Sequence, residues 1–261
     1  MAYVEMNYRS ESMGRMVNIQ IILPCNDGWE ETQCPFKTLY FLPGMSADAK
    51  SLGTLLGIRL EAVKKGIAVV LVDGENSFYI DKPERKANYG RFVSHEIVEV
   101  TRMIFPLSYR REDTFLGGIS MGGYGALYHG VKNNNIFGKI AVMSPGIYIE
   151  ELLCGKKAGA PAGMFEDIFG ARKNYVNSDK NLEKLIADKL DEKQTLPDIF
   201  MCCGTEDVLV YEQVCRFRNF LRESGLKVTY EESAGGHDVI YWEKILGKFF
   251  TYLIREQEER R

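Results

Sequence analysis

The chain has no CxxC pair, no compact cysteine and histidine cluster, no apolar run long enough to cross a bilayer and no excess of one charge. Each absence removes a class of function. The six cysteines, Cys25, Cys34, Cys154, Cys202, Cys203 and Cys215, are spaced neither as zinc ligands nor as the disulfide framework of a small secreted domain. Lys and Arg number 33 against 36 Asp and Glu, a net charge of −3, which leaves no basic face for nucleic acid or an anionic membrane. The opening residues Met-Ala-Tyr-Val-Glu-Met-Asn carry no basic segment followed by an apolar one. A cytoplasmic chain with reduced thiols and no metal or other cofactor is expected. What is present is ordinary for a soluble protein: 261 residues, 45 % hydrophobic and 26 % charged, can bury a sizeable core. One large domain over residues 1–261 is the expectation.

Short apolar runs alternate with helical patterns, which predicts an α/β fold with a mainly parallel sheet and helices on both faces. The first part reads as antiparallel strands, with Val17 to Leu23 the clearest, followed by a turn-rich stretch from Cys25 to Pro35. Further strands are expected at Thr38 to Leu42, Ala68 to Val72, Thr114 to Ile119, Lys139 to Met143, Ile199 to Cys203 and Val228 to Glu232. Helices are expected at Ser51 to Lys65, Phe92 to Phe105, Met121 to Lys132, Glu212 to Ser224 and Val239 to Glu256. Between Ser144 and Pro197 the pattern dissolves into glycine, lysine and short amphipathic pieces, which reads as a small cap inserted over the sheet at about 145–197.

The main chemical signal is Gly118-Ile119-Ser120-Met121-Gly122, a GxSxG match. By composition alone such a match arises in about one chain in ten of this length, so its context has to carry the argument. It falls where an apolar strand ends and a helix begins, the place where a nucleophile elbow exposes a serine hydroxyl on a strained turn. The competing reading is a glycine-rich turn with a helix-capping serine. A phosphate loop would need Gly-Lys-Ser/Thr, yet no lysine lies between Arg111 and Lys132, and a dinucleotide turn starting at Gly123 would need a small residue in place of Tyr128.

A serine hydroxyl needs a neighbouring base. Of the three histidines, His95 precedes the serine within a helical pattern, where a solvated or packed role is expected, and His129 sits in the helix after the serine and is expected to face solvent. His237, in Ala234-Gly235-Gly236-His237-Asp238 between the last strand and the last helix, is the candidate base. Asp207 follows the strand Ile199 to Cys203 and is the candidate acid, with Glu206 as alternative and a turn-forming aspartate as the non-catalytic reading. Asp198 lies at the wrong end of that strand, and Asp238 adjoins the base and should point elsewhere. An oxyanion hole needs two N–H donors. Met121 follows the serine, and Met45 in Pro43-Gly44-Met45-Ser46 is the choice for the second, Pro43 having no N–H.

Leu42-Pro43-Gly44-Met45, Phe105-Pro106-Leu107-Ser108, Gly118 to Ala126, Gly204-Thr205-Glu206-Asp207 and Gly235-Gly236-His237 together resemble the esterase D and tributyrin-esterase group of α/β-hydrolases. The likeness covers most of the chain and is weakest between Ser144 and Pro197. It implies an α/β-hydrolase fold and a serine carboxylesterase acting on short acyl or aryl esters, with Ser120 as nucleophile, Asp207 as acid, His237 as base, and Met45 and Met121 as backbone donors. It implies no cofactor, a small-molecule ester as partner, and a homo-oligomer by analogy. Many members have His-Gly where this chain has Pro43-Gly44, and the S-formylglutathione hydrolases carry a cysteine soon after the oxyanion donor where Ser46-Ala47-Asp48-Ala49-Lys50 has none. The missing cysteine speaks against the thioesterase. The alternatives kept are an S-formylglutathione hydrolase-type thioesterase or acyltransferase, and, outside enzymes, a binding protein that has lost turnover.

Overall fold

The computed structural model describes residues 1–25, 34–154, 161 and 163–255. Its frame is an eight-stranded sheet made of β1 (Ala2–Arg9), β2 (Met16–Leu23), β3 (Lys37–Leu42), β4 (Ile67–Val72), β7 (Thr114–Ile119), β8 (Lys139–Met143), β9 (Asp198–Gly204) and β10 (Val228–Ser233). A separate two-residue hairpin, β5 (Asp81–Lys82) and β6 (Ala87–Asn88), lies in the loop after β4. The strand order is β1-β2-β4-β3-β7-β8-β9-β10, antiparallel across β1, β2 and β4 and parallel from β4 to β10.

The central strands are buried on both sides because alternate residues face different helices. Tyr40, Leu42, Val70, Leu116, Val142 and Met201 pack with α5 (Met121–Lys132), α9 (Leu182–Asp191) and α10 (Tyr211–Glu223). Leu39, Phe41, Val69, Phe115, Ala141 and Phe200 pack with α1 (Ala49–Leu55), α2 (Ile58–Lys65) and α11 (Val239–Ile254). The register pairs Leu42 with Gly118, Ile119 with Met143, and Met143 with Cys202, so the carboxyl ends of β3, β7, β8 and β9 open at one sheet edge.

Two elements differ from expectation. The segment from Ser51 to Lys65 is two helices, because Leu56 is extended at φ −115 and ψ 146 and Gly57 restarts the second. The helix expected over Phe92 to Phe105 begins earlier, at α3 (Tyr89–Arg91), and runs through a wider turn (Phe92–Glu96) into α4 (Ile97–Ile104). β1 is a partly exposed edge strand whose Ala2, Val4, Met6 and Tyr8 face the core and whose intervening residues are polar or aromatic. Residues 26–33 of the turn-rich stretch, and 155–160 and 162 of the expected cap, lie outside the described residues. Around them stand α6 (Ile149–Leu153), α7 (Met164–Phe169) and α8 (Arg172–Tyr175), then α9.

His129 is a correction. It was expected to face solvent, but α5 is enclosed by the sheet on one side and by α9 and the loop after β4 on the other, so His129 is only 4 % exposed. Its Nε2 lies 2.7 Å from the Tyr79 carbonyl oxygen, so Nε2 carries the proton and donates. Burial pushes its pKa down to about 4 from 6.5, against the Tyr79 hydrogen bond and the nearby Asp81, which act upward. Because the unfolded chain binds this proton first, stability is complete above the unfolded value and falls as pH drops toward the folded one. The full shift corresponds to about 3 kcal/mol. Urea unfolding at a series of pH values should show this slope, and His129→Gln, which keeps an N–H donor without the titration, should flatten it. An unchanged slope in the variant would assign the acid sensitivity to other groups.

Candidate active site

β7 delivers Ser120 to the sheet edge on a turn that L-residues seldom adopt, with φ 55 and ψ −114. The turn is tight enough to dictate its glycines. A Cβ on Gly118 would stand 2.2 Å from the Gly122 carbonyl oxygen, and one on Gly122 would stand 2.0 Å from that of Leu42. The Ser120 N–H donates to the Met143 carbonyl at 3.0 Å, and the Ser120 carbonyl accepts from Tyr124 and Gly146, each at 3.1 Å, so the backbone is held from three directions.

The loop after β10 returns His237 over this edge. His237 Nε2 is 2.9 Å from Ser120 Oγ, and Nδ1 is 2.7 Å from Asp207 Oδ2. Asp207 is 1 % exposed, and its Oδ1 accepts from the Leu209 and Val210 N–H groups at 3.1 Å each. Burial pushes the Asp207 carboxyl up, but the hydrogen bond and charge of His237, with the Val210 N–H, outweigh this and hold it below its ordinary value. An ionised Asp207 fixes the Nδ1–H tautomer and leaves Nε2 free to accept the Ser120 hydroxyl proton.

The remaining candidates separate cleanly. Glu206 is exposed and its N–H donates to Gly235 O, while Asp238 caps α11 by accepting from the Tyr241 N–H at 2.9 Å. Asp198 begins β9 at the opposite end of the sheet, and His95 is exposed with Nδ1 2.8 Å from Ser94 Oγ. The N–H groups of Met45 and Met121 have no acceptor among the described residues. Both residues line a cavity of about 830 Å³ together with Ser120, His237, Leu52, Phe78, Leu152 and Phe165. Among the described residues no group of three or more His, Cys, Asp or Glu could hold a metal ion, and no helix is long and apolar enough to cross a membrane.

Sequence reasoning missed two residues packed against the His237–Asp207 pair, Trp242 on the imidazole and Ser144 on the carboxylate. The Trp242 ring meets the imidazole edge-on, centroids 5.2 Å apart at 83°, and its Nε1–H donates to Ser144 Oγ at 3.2 Å. Ser144 is fully buried beside Asp207, on a residue with φ 45. The only available signal was position: Ser144 directly follows β8, and Trp242 lies in the first turn after the base. Cys202 and Cys203 pack inside β9, as expected, and burial raises both thiol pKa values.

Comparison with known proteins identifies the family. The Esterase family model, described as "Putative esterase", matches residues 10–252. An acetyl esterase of Caldicellulosiruptor saccharolyticus is 36 % identical over 264 residues, covering 97 % of this chain and 98 % of its own. An S-formylglutathione hydrolase of Mus musculus is 26 % identical, covering 68 % of this chain and 73 % of its own. Among solved structures, the fluorophosphonate-binding serine hydrolase F of Staphylococcus aureus superposes with a TM-score of 0.88 at 25 % identity, covering 98 % of this chain and 99 % of that one. A fold of the α/β serine hydrolases, a glycine-locked serine at the sheet edge and relatives of this kind lead to one conclusion: the chain belongs to the Esterase family and is a carboxylic ester hydrolase.

Proposed function

We propose that Ser120 is the nucleophile, His237 the general base and acid, Asp207 the group that orients and stabilises the imidazolium, and the Met45 and Met121 N–H groups the oxyanion donors. The observation that carries this reading is the unbroken relay from Ser120 Oγ through His237 to Asp207 at 2.9 and 2.7 Å on the wall of the cavity. Ser120 Oγ attacks the ester carbonyl while His237 Nε2 takes its proton, and negative charge gathers on the former carbonyl oxygen between the two N–H groups. Collapse breaks the bond to the alcohol, which leaves with the proton from His237. Water, deprotonated by the same nitrogen, then splits the acyl-serine and regenerates the hydroxyl.

The substrate proposed is an ester of a short or compact aryl acid with a neutral alcohol. Leu52, Phe78, Ile119, Leu152, Phe165 and Trp242 supply apolar wall. Phe78 and Phe165 belong to a ring cluster with Tyr124 and Phe169, centroids 5.3 to 5.7 Å apart, which backs that wall with buried aromatic side chains. Each methylene gains about 0.8 kcal/mol while space lasts and costs about 1 to 3 kcal/mol once the wall must yield. The kcat/KM values for p-nitrophenyl esters should therefore peak between acetyl and butyryl and fall steeply by octanoyl. A peak at decanoyl or longer would overturn the short-acyl reading.

The S-formylglutathione hydrolase among the relatives favours a thioester as a second reading. The cavity argues against it, since its lining contains Glu151, Glu206 and Glu212 and, among the described residues, no lysine or arginine to meet the carboxylates of a glutathione leaving group. Turnover of an acetylated sugar beside S-formylglutathione separates the two readings. Preference for the glutathione thioester would select the second.

A further inference from the structure

The loop that carries Met45 cannot hold itself in place. Pro43 has no N–H, and Gly44 has no side chain and stands against Ser120, where a Cβ would meet the serine Cβ at 3.3 Å. Its only internal backbone bond is a long one of 3.4 Å from the Ala47 N–H to the Gly44 carbonyl. Two side chains from one neighbouring segment, residues 74–80, supply what is missing. The Tyr79 hydroxyl donates to the Pro43 carbonyl at 2.9 Å, and Asn76 Oδ1 accepts from the Ser46 N–H at 2.7 Å. These bonds fix the peptide group before Gly44 and the one after Met45. The peptide between them, whose N–H is the proposed second oxyanion donor, is then gripped from both sides.

The gripping segment is built at a conformational cost. Glu75, Asn76, Phe78 and Tyr79 all have positive φ, at 43, 58, 52 and 59°. Tyr79 is fully buried, and its ring and hydroxyl occupy space that a Cβ on Gly125 or Gly74 would enter at 2.4 and 2.3 Å. The segment is tied down by the Ser77 hydroxyl, which donates to the Gly74 carbonyl at 2.6 Å and accepts from the Tyr79 N–H at 3.0 Å, and by His129 on the Tyr79 carbonyl. Oxyanion stabilisation works only when donors are aimed before charge develops. We infer that residues 74–80 form a brace for the oxyanion hole, with Tyr79 and Asn76 as positioning residues that aim the Met45 N–H without touching substrate. This rests on the proposed role of Met45 and Ser120.

The test compares Tyr79→Phe, which removes only the hydroxyl, with Asn76→Gly, which removes the acceptor and keeps a residue at ease with φ 58. With p-nitrophenyl acetate, kcat should fall by about 10- to 100-fold in Tyr79→Phe and about 3- to 10-fold in Asn76→Gly, below the loss of a whole donor, while KM moves less than about twofold. The inhibition constant of a trifluoromethyl ketone, whose adduct places an oxyanion in the hole, should rise in the same proportion as kcat falls. Wild-type kcat and inhibitor affinity in both variants would overturn the brace. So would a fall in kcat with inhibitor affinity unchanged, since that is loss of structure and not of oxyanion binding. Should Tyr79→Phe fail to fold, Asn76→Gly decides, because Asn76 is only partly buried. A Ser120→Ala control that kept turnover would instead remove the nucleophile reading on which the brace depends.

Discussion

Replacing Ser120 by alanine should lower kcat on short p-nitrophenyl esters by about four to six orders of magnitude while the folded structure persists. The side chain contributes one hydroxyl, whose partner is the Nε2 of a partly exposed histidine, so its loss costs the fold little. The backbone that strains at φ 55 is held by Met143, Tyr124 and Gly146 through main-chain atoms that alanine retains. The thermal midpoint should therefore stay within a few degrees of wild type, and residual rate should reflect only the N–H donors and binding. A folded Ser120→Ala protein retaining a tenth of the turnover would place the nucleophile elsewhere.

Asp207→Asn should cost about four orders of magnitude in kcat. Its carboxylate accepts from His237 Nδ1, Leu209 and Val210, and an amide oriented to accept from two of them must present its N–H₂ to the third. Turning the amide oxygen to the backbone donors presents N–H₂ to His237, which favours the tautomer with the proton on Nε2 and removes the acceptor for the Ser120 hydroxyl. Glu206→Gln, one residue away but exposed, should change turnover by no more than a few-fold. The pair discriminates between neighbouring acids. A large loss in Glu206→Gln with a mild effect in Asp207→Asn would reverse the assignment.

The parallel strands and the three residues of the relay were readable because each rests on a local rule. Apolar runs such as Ile199 to Cys203 are what burial on both faces requires, and a GxSxG at a strand end positions its serine through backbone sterics alone. Only three histidines competed, and only His237 lay in a loop after the last strand. What escaped was set by packing at a distance. His129 carries no sequence mark of burial, since only the docking of the loop after β4 and of α9 covers α5. The extended Leu56 that splits α1 from α2 sits beside Gly57, whose N–H is held by Glu243, 186 residues away. Tyr79, Asn76 and Trp242 are likewise defined by partners 36, 30 and 98 residues distant, and no local pattern announces such pairings.

Ser120 should form a covalent acyl intermediate during turnover, and rapid quenching of the enzyme with p-nitrophenyl acetate detects it. When deacylation is the slower step, an initial burst of p-nitrophenolate close to one per chain is expected, together with a trapped acetyl group on the peptide that contains Ser120. The acetyl group should be absent from the Ser120→Ala protein. Acetyl transfer to another residue at the rate of turnover, or full turnover in the Ser120→Ala protein, would contradict it.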